Sequence, residues 1–228
     1  IMTTISTNLQ AVRARIAAAA QLAGRAVEDI RLLAVSKTFP PERIREAALA
    51  GQIAFGENYL QESLGKIAAL ADLGLEWHFI GPLQSNKTRP VAEHFSWVHG
   101  IERLKIAERL SAASGPARSP LQVCNQVNVG GEASKSGVSP GETAALAHAV
   151  AGLPNLRLRG LMAIPEPTDD MPLARQRFAM LRELRDSLNK AGMALDTLSM
   201  GMSHDLEAAI LEGATIVRVG TAIFGERT

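Results

Sequence analysis

Short apolar runs recur along this chain, and each is followed by a stretch whose apolar positions return with helical spacing. The runs predict strands near 32–36, 53–55, 76–80, 97–99, 121–127, 156–163, 197–199 and 215–219. Helical patterns lie between them, for example at 41–49, 59–70, 102–112, 141–150 and 175–190. A further helix opens the chain, with Ile5, Leu9, Val12 and Ile16 on one face. Local start signals agree: Pro40-Pro41 precedes Glu42, and Ser139 stands three residues before Glu142. Gly51 and Gly152 sit just past helical stretches, where a terminating glycine belongs.

Strands alternating with helices imply parallel pairing through βαβ units. Eight such units predict a closed α/β barrel of the (β/α)8 TIM type, one domain over residues 2–228, with the first helix as an extra cap. The rival, an open doubly wound sheet, would carry a glycine-rich dinucleotide fingerprint after its first strand; Ser36-Lys37-Thr38-Phe39-Pro40 stands there instead. No internal repeat or linker interrupts the pattern. The breaker-rich stretches 130–137 and 165–171 are the ones expected to be mobile.

Composition narrows the function classes. The chain has 228 residues, 46% hydrophobic and 21% charged, as in an ordinary globular domain. Lys plus Arg is 24 against 23 for Asp plus Glu, so nothing electrostatic points to nucleic acid or an anionic membrane as partner. No apolar run approaches the roughly 18 residues of a membrane span. The N-terminal stretch, with Arg13 and Arg15 between its apolar positions, is helical rather than a secretion signal; Ile1, ahead of Met2, is set aside. One cysteine, Cys124, permits no intrachain disulfide, which fits a reducing, cytoplasmic location.

In a barrel, chemistry sits where strands end. Lys37 leaves an apolar strand there, whereas Lys66, Lys105 and Lys190 fall in amphipathic helical stretches and are expected to reach solvent, and Lys87 and Lys135 lie in loops or at helix starts. Partial desolvation disfavours an ammonium, and a neutral amine is what Schiff-base chemistry needs; a lysine snorkelling to water is the plainer alternative. The loops after strands seven and eight are where barrels commonly hold phosphate. Here they read Ser199-Met200-Gly201-Met202-Ser203 and Gly220-Thr221-Ala222-Ile223-Phe224-Gly225. Gly220 admits close approach, the Gly220 and Thr221 amides are free to donate, and Ser203 and Thr221 add hydroxyls.

Alternation puts Ile216 and Arg218 on the inner face and Val217 and Val219 on the outer. An inward Arg218 needs an acceptor, either a carboxylate such as Glu57 or a ligand atom. Asn58 either reaches a ligand or caps the next helix. His78, His99 and Cys124 read as core groups; no metal-ligand spacing is present. An amine, a phosphate cup and an internal guanidinium together suit an aldehyde bearing a ring and a phosphate, and pyridoxal 5′-phosphate (PLP) is the obvious candidate.

The stretches Leu32-Leu33-Ala34-Val35-Ser36-Lys37-Thr38, Phe55-Gly56-Glu57-Asn58-Tyr59, Trp77-His78-Phe79-Ile80-Gly81-Pro82-Leu83-Gln84-Ser85-Asn86-Lys87, Ser134-Lys135-Ser136-Gly137, Arg159-Gly160-Leu161-Met162-Ala163-Ile164-Pro165, Leu198-Ser199-Met200-Gly201-Met202-Ser203 and Val217-Arg218-Val219-Gly220-Thr221-Ala222-Ile223-Phe224-Gly225 resemble the pyridoxal phosphate homeostasis protein family, the YggS/PROSC type. The resemblance covers essentially the whole chain, in order. It implies a barrel similar to the N-terminal domain of alanine racemase, the fold-type III PLP architecture. It also implies PLP held on Lys37 as a Schiff base, the phosphate on Ser203, Gly220 and Thr221, Arg218 facing the pyridine nitrogen and Asn58 near the ring.

The family's implied role is to buffer and deliver PLP inside the cell, with PLP-requiring apoenzymes as recipients and no robust turnover. Weak racemase-type chemistry on amino acids is the alternative. Racemisation needs an acid/base group on each face of the substrate. In alanine racemase the second is a tyrosine from a C-terminal β-domain, which the sequence up to Thr228 does not contain; the one tyrosine here, Tyr59, starts a helix. No catalytic residue and no metal site are therefore expected, and a lone barrel is expected to be a monomer.

Overall fold

The computed structural model describes residues 4–131 and 136–226. The Ser134-Lys135 half of one motif, part of the 130–137 loop and the last two residues lie outside them. Eight parallel strands close in chain order: β1 (Arg31–Val35), β2 (Ala54–Glu57), β3 (Glu76–Phe79), β4 (Trp97–Ile101), β5 (Leu121–Gln126), β6 (Leu156–Met162), β7 (Thr197–Ser199) and β8 (Ile216–Val219). β1 and β8 meet in parallel register, Leu33 opposite Arg218, and so shut the barrel. The helices are α1 (Ile5–Leu22), α2 (Pro41–Leu49), α3 (Leu60–Ala69), α4 (Thr88–His94), α5 (Leu104–Ser114), α6 (Thr143–Ala151), α7 (Met171–Lys190), α8 (Leu206–Leu211) and α9 (Thr221–Phe224).

Every expected strand forms, with ends shifted by a residue or two. α4 and α8 are too short to display a period, and Pro90 inside α4 is tolerated because the first turn needs no amide donor there. Ser139 and Glu142 do form the reciprocal cap that leads into α6. Gly51 adopts the left-handed conformation after α2, at φ +85°. Gly152 does not: it stays helical, at φ −81°.

Burial on both faces explains why the strands read as apolar runs. Inside the barrel sit Leu33, Val35, Ala54, Ile80, Trp97, Cys124, Met162 and Ile216. Their neighbours along the strands, among them Ala34, Phe55, Val98, Leu161, Val217 and Val219, pack outward under the helices. The first helix is not a cap. α1 buries Ile5, Leu9, Val12 and Ile16 against α8, α9 and α2 and so takes a place in the helical ring. Asn8 donates to the carbonyl of Ile223 at 2.8 Å, and Arg15 reaches Glu207 at 2.7 Å, which ties α1 to the last two crossovers.

Candidate functional site

The expected site residues all lie at the carboxyl ends of strands. Lys37 follows β1, in the turn after Ser36. Continued alternation from Leu33 and Val35 gives residue 37 inward parity and sends residue 36 outward. Ser36 does point outward, where its hydroxyl donates to Glu57 at 2.6 Å.

That contact exposes a group the sequence reading misplaced. Lys66 does not reach solvent. It is buried, pairs with Glu57 at 2.9 Å and with Glu62, and donates to the Ser36 carbonyl at 2.8 Å. Glu62 in turn accepts from the Thr38 amide at 2.6 Å, and Thr38 is held at φ +71°, a conformation costly for a β-branched residue. The peptide groups on either side of Lys37 are thus gripped by two charged side chains of α3. The clue in the sequence was the Glu62/Lys66 spacing opposite an outward Glu57. Burial pushes the Glu57 carboxyl above the usual carboxylate range, although Lys66 and Ser36 both donate to it.

Glu57 is therefore not the acceptor for Arg218. It shares the outward parity of Phe55, whereas Arg218 points into the barrel with Ile216. The Arg218 guanidinium, 3% exposed, donates to Ser199 Oγ and to the Ala163 carbonyl, each at 2.8 Å. Burial pushes it down to about 10, and Asp205 opposes that shift. It remains a donor at neutral pH.

One residue past β8, Gly220 lies against the end of β1. A Cβ there would stand 3.2 Å from the Val35 carbonyl oxygen, so the two crossovers could not approach as they do with a larger residue. Thr221 opens α9, and its hydroxyl lies 3.3 Å from that of Ser203. The first amides of α9 have no acceptor within the helix. Phe39, two residues past Lys37, stacks on Phe224 of α9 with centroids 5.0 Å apart, and Arg43 donates to the Phe224 carbonyl. The turn that carries Lys37 is therefore tied to the hydroxyl cup through α9.

Asn58 follows β2. It does not cap α3, whose first turn receives no side-chain bond. Its Oδ1 is buried and has no hydrogen-bond partner. Gly81 presses on its backbone: a Cβ there would lie 2.4 Å from the Asn58 carbonyl oxygen. A buried acceptor left open beside the mouth fits a polar ligand.

The two strand histidines are core groups, as expected, and they are linked. His78 Nδ1 lies 2.9 Å from His99 Nε2, His78 Nε2 lies 2.6 Å from Glu76, and His99 Nδ1 lies 2.7 Å from Ser199 Oγ. Burial lowers both rings, His99 well below the ordinary value, so both are neutral. Cys124 is fully buried, and burial pushes its thiol up to about 12. Among the described residues no cluster of His, Cys, Asp or Glu could hold a metal ion.

Glu76 yields a pH prediction. Burial alone would raise its carboxyl, but bonds from His78 and Arg31 outweigh burial and hold it at about 2, against 4.5 ordinarily. A folded value below the unfolded one stabilises above the unfolded value. That contribution is expected to fade as the pH falls from 4.5 toward 2. Urea midpoints measured down this range should drop in the natural chain and change less in Glu76→Gln.

The comparisons with known proteins agree with this geometry. A family model described as alanine racemase, N-terminal domain, matches residues 7–228. The pyridoxal phosphate homeostasis protein of Pseudomonas aeruginosa is 64% identical over 226 residues, 99% of this chain and 97% of the relative. The chain belongs to the pyridoxal phosphate homeostasis protein family. Among solved structures of this kind, PipY of Synechococcus elongatus PCC7942 with PLP bound superposes with a TM-score of 0.82 at 39% identity, over 92% of this chain and 100% of that one. Alanine racemase of Corynebacterium glutamicum shares the fold, with a TM-score of 0.71 at 20% identity over 96% of this chain and 62% of its own. Pyridoxal phosphate homeostasis proteins thus share the architecture of a racemase barrel.

Proposed function

We propose that this chain binds PLP covalently through Lys37 and serves in PLP homeostasis as a carrier, without substrate turnover of its own. The observation that carries the reading is the seam of the barrel. There the turn that carries Lys37 after β1 meets the turn that opens α9 after β8, through the Gly220–Val35 approach and the Phe39–Phe224 stack, with the Ser203 and Thr221 hydroxyls 3.3 Å apart. The fit of the group rests on the partnerless Asn58 Oδ1, the paired hydroxyls of Ser203 and Thr221, and a buried guanidinium that can only donate.

When bound, PLP supplies a reactive aldehyde and an electron-accepting ring. Lys37 provides the amine that condenses with the aldehyde, and water leaves. Ser203, Thr221 and the Gly220 and Thr221 amides hold the phosphate without a full cationic partner. Arg218 faces the ring nitrogen. A guanidinium keeps its own proton and, by like-charge repulsion, denies one to that nitrogen. The ring is then a poor electron sink, which favours storage over reaction. PLP-requiring apoenzymes are the recipients in this reading, the protein works in the cytoplasm, and light scattering is expected to find a monomer. Among the described residues no helix is long and apolar enough to cross a membrane.

Purified protein is expected to show visible absorbance, and reduction with borohydride should leave the pyridoxyl group on the peptide containing Lys37. A label on any other lysine sinks the assignment. Turnover of an amino-acid panel well above that of free PLP would replace the carrier with a racemase-type enzyme. The phosphate cup is tested separately. Joint replacement Ser203→Ala and Thr221→Ala should weaken PLP about tenfold or more, through two lost bonds to an anion, while leaving pyridoxal, which lacks the phosphate, unchanged.

A further inference from the structure

We propose that Ser199, His99 and His78 are positioning residues: a one-way hydrogen-bonded relay that fixes the Arg218 guanidinium against the cofactor ring and joins it to Glu76 at the opposite mouth of the barrel. The proposal rests on the reading of Arg218 as the partner of the ring nitrogen.

The direction follows from the two ends. Arginine has donors only, so Arg218 Nη1 donates to Ser199 Oγ. An ionised Glu76 has acceptors only, so His78 Nε2 carries a hydrogen and donates to it. With a neutral ring, His78 Nδ1 must then accept. The hydrogen between the rings therefore sits on His99 Nε2. His99 Nδ1 is left as an acceptor, and the Ser199 hydroxyl supplies its hydrogen. Each link has one donor and one acceptor, and every hydrogen points away from the cofactor.

Charged groups stand around the relay, and one of them shares its terminal acceptor: the Glu76 oxygen that accepts from His78 also accepts from Arg31. Arg31 of β1 holds Glu76 at 2.7 Å, and Trp97 of β4 stacks on His78 at 5.3 Å. Asp205, just before α8, acts on Arg218 through its charge. Each of His78, His99 and Ser199 is 0% exposed, whereas the Glu76 side chain is 29% exposed. The chain thus runs dry through the barrel axis and surfaces at its amino end.

The mechanical consequence concerns Arg218. A guanidinium on a flexible stem would otherwise sample several rotamers in the barrel mouth. With one arm on Ser199 and another on the Ala163 carbonyl, its plane is set before the cofactor arrives. With its own hydrogen directed to His99, the Ser199 oxygen presents its lone pairs to Arg218.

The test is nitrogen NMR of histidine-labelled full-length protein, with and without added PLP. Both buried rings should show hydrogen on Nε2 and none on Nδ1, and PLP should shift the His99 signals. Ser199→Ala should remove that shift and lower PLP affinity about tenfold, through a guanidinium arm left without an acceptor. Ser199→Thr, which restores the hydroxyl, should recover both. A ring hydrogen on His99 Nδ1, or a Ser199→Ala protein that binds PLP as tightly as the natural chain, overturns the relay. Natural protein that takes up no PLP overturns the functional reading instead, and the tautomers in the unloaded protein still decide the direction of the chain. Should Ser199→Ala fail to fold, the tautomers of the natural protein and the PLP response of Ser199→Thr decide in its place.

Discussion

Lys37→Ala protein is expected to incorporate no borohydride-fixable PLP, to lack the visible band of the natural chain, and to keep only a weak, phosphate-dependent affinity. The amine is the sole covalent anchor in the proposed site, so its loss removes the bond and leaves the cup. The fold should survive. Lys37 is half-buried in a turn after β1, outside the strand ladders. Its unfolding midpoint should therefore stay within about 0.5 kcal/mol of the natural value, as for most substitutions away from the core. A protein that unfolds on this change would make Lys37 a structural residue and end the assignment. Spectra and urea curves on the same preparation separate the two.

The second large effect is on stability. Lys66→Met is expected to cost about 3–5 kcal/mol, because it leaves Glu57 ionised, buried and without its cation. The double change Lys66→Met with Glu57→Gln should recover much of that loss, since no uncompensated charge remains. Acid should rescue the single variant in part. Burial already raises the Glu57 carboxyl above its unfolded value. A raised carboxyl contributes most at low pH, and that contribution is lost as the pH climbs through the folded value. The Lys66→Met midpoint should therefore rise on mild acidification relative to that of the natural chain. The same variant frees the Ser36 carbonyl beside Lys37, so slower PLP uptake should accompany it.

Much of this architecture was legible in the order of residues. Eight apolar runs separated by helical patterns admitted a closed parallel barrel, and inward parity at Arg218 followed from Ile216 two residues earlier. That Lys37, Ser203, Gly220 and Thr221 follow the carboxyl ends of strands, where barrel chemistry gathers, was readable from the apolar runs before them. What escaped were matters of pairing across the chain. Lys66 lies on an amphipathic helix, and its spacing from Glu62 hints at an ion pair without saying that the ammonium also reaches a carboxylate from β2. The partner of Arg218 was misjudged for the complementary reason: Glu57 has the right charge but the wrong parity. The link from Ser199 to His99 spans 100 positions and exists only once β4 and β7 face each other inside the closed cylinder. The short helices α4, α8 and α9 carry too few turns to announce themselves.

The closure of β1 on β8 has one more consequence. The proposed covalent anchor follows the first strand and the proposed anion grip the seventh and eighth, so the two become neighbours only once the cylinder shuts. During synthesis the amine emerges early and the grip only after seven strands have passed, so a growing chain on the ribosome can hold the vitamin only loosely. Loading must wait until the eighth strand is free to pair. Held by both groups, as proposed, the vitamin would act as a rivet between the first and last strands, where the cylinder closes.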